Sequence, residues 1–135
     1  MGCELITVSC DTKFTHLAWR TVEKELASVQ FQMGSDPTGA LARKFGTYLE
    51  DAGLSLRGTF IIDPAGTLLF SEVNFLNVGR NVDEMMRKFK AGLYVSKRDE
   101  GIPTGWNEDG DVTLKPSAKM VGKVHEALAN DGNPA

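Results

Sequence analysis

The sequence predicts an α/β protein: a mixed β-sheet flanked by helices, followed by an extended C-terminal arm. Three observations carry that expectation. Short β-branched apolar runs alternate with segments of helical period in the order β-α-β-α-β-β-α, and a helix between two strands favours parallel pairing. Two of the runs, 58–62 (GTFII) and 67–73 (TLLFSEV), are joined by Asp63-Pro64-Ala65-Gly66. Pro at the second place of that turn and Gly at the last mark an antiparallel hairpin. Finally, Val82, Met85, Met86, Phe89 and Leu93 share one stripe of a helix over 82–95.

Taken in order, residues 4–10 (ELITVSC) read as a short, β-branched apolar strand. Asp11 and Thr12 offer caps for a helix through about Leu26, with Leu17, Ala18, Val22 and Leu26 as its core positions. Residues 29–33 (VQFQM) alternate apolar and polar, as a half-buried strand does. Asp36-Pro37 starts the next helix, since Pro at the first helical position loses no bond. Leu41, Phe45 and Leu49 repeat along it, and Gly53 closes it. After the hairpin, Asn81 caps the helix over 82–95, and Glu84 completes an N-x-x-E arrangement resembling a capping box. Residues 97–117 are rich in Gly, Pro, Asp and Lys, with Trp106 as an isolated large apolar group. They read as an arm and not as core. Residues 118–129 form one last weak helix, and 130–135 fray. The expected division is a core over 1–96 and an arm or tail over 97–135.

Composition narrows the function classes. With 135 residues, 41% hydrophobic and 24% charged, the chain is long enough for one ordinary domain. A net charge of −3 without a basic cluster argues against a nucleic-acid partner. The apolar runs are too short to span a bilayer, and the first residues lack a signal peptide's basic and apolar regions, so a cytoplasmic location is the default expectation. The two cysteines, Cys3 and Cys10, sit in what reads as one strand. Their separation there is about 23 Å, far beyond the roughly 4.4–6.8 Å between Cα atoms that a disulfide allows. His16 and His125 have no Cys or His at ligand spacing, so neither a metal nor another cofactor is expected.

Several runs together resemble a known family. Val8-Ser9-Cys10-Asp11-Thr12-Lys13-Phe14-Thr15-His16-Leu17-Ala18-Trp19 resembles the peroxiredoxin run V-S-x-D-T-x-F-T-H-x-A-W. Ser35-Asp36-Pro37-Thr38-Gly39 is similar to its S-D-P-T-G, and Arg57-Gly58-Thr59-Phe60-Ile61-Ile62-Asp63-Pro64 to its R-G-x-F-I-I-D-P. Val78-Gly79-Arg80-Asn81-Val82-Asp83-Glu84 and Pro103-Thr104-Gly105-Trp106, followed by Leu114-Lys115-Pro116, match later landmarks in the same order. The resemblance, to peroxiredoxins of the alkyl hydroperoxide reductase and thiol-specific antioxidant type, covers about residues 2–124.

That resemblance implies an incomplete thioredoxin-like fold and a peroxidase that reduces hydrogen peroxide and organic hydroperoxides. In the family a peroxidatic cysteine thiolate attacks the peroxide and becomes sulfenic acid. Two-cysteine members then form a disulfide with a resolving cysteine of a partner subunit, reduced by thioredoxin or a dedicated reductase. The implied partners are a second copy, in a dimer or a ring of dimers, and a thiol reductant. The peroxidatic P-T-x-x-C-P-like motif belongs upstream of the first strand and is not found in these residues. Where the family reads C-P-x-x-W, the resolving position is Ile102, which cannot form a disulfide.

Arg57 is the active-site residue the resemblance carries over: its guanidinium faces the peroxidatic sulfur, favours the thiolate and orients peroxide oxygens. From the residues alone it is a surface arginine before a strand. Arg80 is a weaker candidate for the same site. Phe14, Thr15, His16 and Trp19 match the family's subunit-contact region; from the residues alone, Trp19 covers core and His16 is a satisfied loop histidine. Cys10 reads either as a redox thiol or, more ordinarily, as a small buried hydrophobe. Asp36 and Asp63 are cap and turn residues, not general acids.

The expectation is therefore part of a thiol- or selenol-dependent peroxidase, inactive as this chain alone. Met1 is then an internal methionine downstream of a peroxidatic cysteine codon or a selenocysteine UGA. The alternative is a non-catalytic thioredoxin-like subunit pairing with a full-length relative. A third reading is a redox module using Cys3 or Cys10. Without upstream strand and helices, a bared strand edge and an uncovered apolar face are expected.

Overall fold

The computed structural model of the chain describes residues 2–132, so the fraying expected at the C-terminus falls, for 133–135, outside the described residues. Contacts divide the chain into two units: Met1–Thr59 with Glu72–Gly79, and Phe60–Ser71 with Arg80–Ala135.

In the first unit, β1 (Ile6–Ser9), α1 (Lys13–Val22) and β2 (Gln32–Ser35) form a β-α-β crossover. β1 and β2 pair in parallel, from Ile6 opposite Gln32 to Ser9 opposite Ser35. At Gly34 an added Cβ would stand 3.1 Å from Val8 Cγ2, so the close strand contact favours glycine. Neither cysteine lies in β1: Cys3 precedes it and Cys10 follows it, which corrects the expected seven-residue strand. β2 sits three residues later than the alternation suggests. The backbone of Val29 is already used, its N–H by Leu26 O and its carbonyl by Arg20 Nη2 at 2.7 Å, so it cannot join a ladder.

Thr12 caps α1 by accepting from Thr15 N at 3.3 Å. The helix stops at Val22, where Glu23 turns extended, and a separate 3₁₀ turn follows over Lys24–Leu26. The expected single helix to Leu26 is thus broken. Its expected core positions are also corrected. Leu17 is 66% and Val22 76% exposed, Ala18 is exposed and Leu26 half-buried. The one buried side chain of α1 is His16. No other element among the described residues covers the stripe.

Asp36 caps a helix, but one that starts later than Pro37. Asp36–Gly39 is first a turn, closed by Gly39 N to Asp36 O at 2.9 Å. α2 (Ala40–Lys44) then begins after left-handed Gly39. The Asp36 carboxylate accepts from Ala42 N at 2.9 Å, and that bond, with other amides of the turn, holds its carboxyl below the usual range. A Cβ on Gly39 would run into the Tyr48 ring. Gly46, also left-handed, ends the helix early. Leu49 therefore joins β3 (Tyr48–Leu49), paired antiparallel with β4 (Leu54–Ser55), and not the long helix expected up to Gly53. Arg43 stacks over the Tyr48 ring and forks onto Glu50 at 2.6 and 2.8 Å.

The hairpin forms as its sequence predicts, from β5 (Arg57–Ile62) and β6 (Leu68–Asn74). Asp63 makes the turn: its carbonyl accepts from Gly66 N at 3.0 Å and its carboxylate from Thr67 N at 2.8 Å. Among the described residues the strands make three two-stranded sheets in place of one mixed sheet. A sheet of two strands has little stability without cover.

In the second unit, α3 (Val82–Val95) has the expected bounds, with Asn81 Oδ1 accepting from Glu84 N at 3.0 Å. The capping box is only half built, because the Glu84 carboxylate is engaged by Arg87 at 2.6 and 2.9 Å and Lys88 at 3.4 Å. The segment after α3 is not a free arm. Gly101 and Leu114 form an antiparallel bridge. Tyr94 Oη and Thr113 Oγ1 both donate to Glu100 Oε2, each at 2.7 Å. Arg87 Nη1 donates to the Trp106 carbonyl at 2.8 Å. The Trp106 ring lies 5.5 Å from that of Tyr94 and is 2% exposed. The tryptophan expected to stand outside the core is therefore core. A 3₁₀ turn (Ala118–Met120) and α4 (Val124–Ala129) replace the single last helix, because Gly122 adopts a positive φ between them.

Trp106, Met120 and Ala127 are the buried hydrophobic residues among those described. The accessible surface is 9770 Å², against about 7,000 Å² for a folded monomer of this mass, or about 8,400 Å² for two separate bodies of half that mass. This chain exposes apolar faces that folded domains bury.

Candidate functional site

Arg57 opens β5 and is exposed. Its place is set by backbone before it, where Leu56 N donates to Thr47 O at 2.8 Å. Its side chain is set by the loop after β6: Arg57 Nε donates to the Leu76 carbonyl at 2.7 Å. Asn74 Nδ2 donates to Gly79 O at 3.1 Å, and Val78 N to Phe75 O at 2.9 Å, so the loop is cross-tied. Among the described residues no carboxylate pairs with Arg57. The arrangement is an oriented, un-neutralised guanidinium able to hold an anion or polarise an oxygen. Arg80, in the second unit, precedes the cap of α3.

A second polar cluster joins β1 to α1. Ser9 Oγ donates to Asp11 Oδ2 at 2.7 Å and lies 2.7 Å from His16 Nε2. A hydroxyl has one proton; with that proton on the carboxylate, the ring must donate through Nε2, and buried Nδ1 is left without a partner. The order carboxylate–hydroxyl–imidazole is the reverse of an activated serine, whose hydroxyl donates to histidine. The cluster fastens the corner and offers no nucleophile. His16 is 7% exposed, so of the four residues matched to a subunit contact it faces inward. Phe14, Thr15 and Trp19 are exposed on α1.

Cys10 is half-buried, and its thiol is pushed up from 9.0, first by burial and then by the Asp36 and Asp11 carboxylates. A thiol so held is a poor nucleophile. Cys3 is exposed. Ile102 is half-buried beside the Gly101–Leu114 bridge. Among the described residues no group of three or more His, Cys, Asp or Glu could hold a metal ion, and none of their helices is long and apolar enough to cross a membrane. In the second unit two open concavities of about 370 and 390 Å³ share Trp106 as a wall. Neither is lined by a thiol or by Arg57.

Sequence reasoning singled out Arg57 as a candidate but missed what holds it, since a backbone carbonyl leaves no mark in residue type. It also missed Glu100 as the acceptor of two hydroxyls, where a lone acid in a polar stretch gives no periodic signal.

The model of the AhpC/TSA family matches residues 1–71. Alkyl hydroperoxide reductase C of Salmonella typhimurium and of Escherichia coli K12 are each 42% identical over 125 residues, 92% of this chain and 66% of theirs. That of Ferdinandcohnia aciditolerans is 40% identical over 125 residues, 92% of this chain and 74% of its own length. Among solved structures, the reduced 2-Cys peroxiredoxin of Plasmodium vivax superposes with a TM-score of 0.79 at 31% identity, covering 88% of this chain and 64% of that one. Enterococcus faecalis AhpC gives 0.71 at 34%, covering 75% and 60%. The chain thus spans 66% of the length of the first of these curated relatives.

Proposed function

The chain belongs to the AhpC/TSA family of peroxiredoxins, with an α/β, thioredoxin-like fold, and from that premise we propose that it supplies the arginine-bearing part of a peroxidase. The substrates are hydrogen peroxide and organic hydroperoxides. The observation that supports this reading is the exposed guanidinium of Arg57, oriented by the Leu76 carbonyl and, among the described residues, paired with no carboxylate.

The reacting sulfur or selenium atom comes from polypeptide outside these 135 residues. Beside it, the fixed charge of Arg57 favours the anion over the protonated form. The attacking atom bonds the terminal peroxide oxygen, the O–O bond breaks, and the leaving oxygen takes a proton as water or alcohol. The guanidinium N–H groups stabilise the charge that develops on that oxygen. Two equivalents of an external thiol then return the oxidised atom, the first displacing its hydroxyl as water and the second releasing the external disulfide, because Ile102 stands where the family's two-cysteine members carry their resolving thiol. The protein acts as a dimer or ring in the cytoplasm.

A second reading, a non-catalytic subunit that pairs with a full-length relative, is favoured by the exposed stripe of α1. One experiment separates them. The part of the Salmonella typhimurium relative that precedes the matched stretch is fused ahead of this chain, and peroxide consumption is followed with dithiothreitol as reductant. The peroxidase reading expects turnover by the fusion, none by the chain alone, and a loss of about a hundredfold in kcat/KM on Arg57→Ala. A folded fusion whose added thiol alkylates normally yet consumes no peroxide supports the second reading.

A further inference from the structure

We propose that Asn74 is a positioning residue for Arg57, acting through the loop that joins β6 to α3; the inference rests on the reading that Arg57 faces the reacting atom. An exposed arginine has many rotamers, and a positive charge helps a thiolate only where it is held. Here Nε, which lies in the guanidinium plane, donates to Leu76 O at 2.7 Å. That single bond fixes the plane and leaves the Nη donors for another anion. The acceptor is a neutral carbonyl, so the charge is oriented without being cancelled.

The carbonyl is only as well aimed as its loop. Phe75 and Val78 are 62% and 53% exposed, so apolar packing of those side chains does not shape it. Leu76 itself is half-buried, and two polar ties brace the loop around it: Asn74 Nδ2 to Gly79 O at 3.1 Å and Val78 N to Phe75 O at 2.9 Å. The first is a side-chain tie between the two ends of the loop. Asn74 is the last residue of β6, on the firm side of the loop. Removing its amide frees the segment that carries the Leu76 carbonyl, and Arg57 loses its fixed plane without being altered itself.

The test has two arms. In the full chain, hydrogen exchange at Arg57 Nε–H is read by NMR for wild type, Asn74→Ala and, as a loop control, Phe75→Ala. Faster exchange by about tenfold in Asn74→Ala alone, with amides of α3 unchanged, is the expected result; equal protection in all three overturns the link. In the fusion described above, the pH midpoint of alkylation of the added thiol is measured. Arg57→Ala is expected to slow alkylation at neutral pH about tenfold, and Asn74→Ala about threefold in the same direction. If Arg57→Ala has its effect and Asn74→Ala has none, the positioning role is wrong. If Arg57→Ala has no effect, the proposed function fails on its own account, while the exchange arm still decides whether Asn74 holds Arg57.

Discussion

The two longest helices, α1 and α3, share a construction and differ in what their apolar stripes meet. Each is capped by a side-chain oxygen at its N-terminus, Thr12 for α1 and Asn81 for α3. Each repeats apolar residues at helical spacing. On α1 the stripe stays open, with Phe14 70%, Leu17 66% and Val22 76% exposed. On α3, Met85, Met86, Phe89 and Leu93 are half-buried, and Tyr94 packs against the buried Trp106. Periodicity tells which face of a helix wants cover. It does not tell whether the cover lies in the same chain.

The sharpest way to break this comparison is a pair of truncations. Trp106→Ala is expected to cost about 3–5 kcal/mol, as large buried aromatics do, or to unfold the chain outright. Leu17→Ala is expected to stay within about 0.5 kcal/mol, as exposed sites do. Urea unfolding followed by circular dichroism measures both. A large loss for Leu17→Ala means that the α1 face is covered in solution, and the contrast disappears.

The caps give a finer measure. Asn81→Ala should remove about 1 kcal/mol, because α3 is anchored along its length. Thr12→Ala should remove about half that, its bond to Thr15 N being longer at 3.3 Å. Thermal melts of the two variants decide this.

The smallest effect is in pH. Arg87, chiefly, with Lys88, holds the Glu84 carboxyl down at about 2 from 4.5. A carboxyl lowered by folding stabilises the fold above its unfolded value, and that contribution fades as pH falls from 4.5 toward 2. Protection of the α3 amides, taken against the intrinsic exchange rate at each pH, should fall across that window and flatten in Glu84→Gln. α1 has no acid in its first turn and should show no such step from its own cap. A matching step in α1 would tie the two helices into one cooperative unit.

What could be read from residues alone follows the same division. The bounds of α3 and the hairpin over Asp63–Gly66 were legible because a cap, a stripe and a turn glycine act within a few residues. β2 and α2 were displaced. The alternation at 29–33 competes with a turn that takes the Val29 backbone, and Gly46 stops a helix whose apolar spacing runs on to Leu49. Trp106 was misplaced because one aromatic in a polar stretch has no period, and its burial is decided by Tyr94 and Arg87 from another element. At the site, the charge of Arg57 was legible and its aim was not, since the aim depends on the peptide group of residue 76.

The parallel register of β1 and β2 sets an order of events in time. No tight turn joins parallel strands, so Ile6 waits until all of α1 and the following 3₁₀ turn have been laid down before Gln32 reaches it. The β5–β6 ribbon needs only the few residues around Asp63, a closure on the microsecond scale. During synthesis twenty-two residues separate β1 from its neighbour and five separate β5 from β6, so β1 stays unpaired, and available to other polypeptides, over a longer stretch of chain growth.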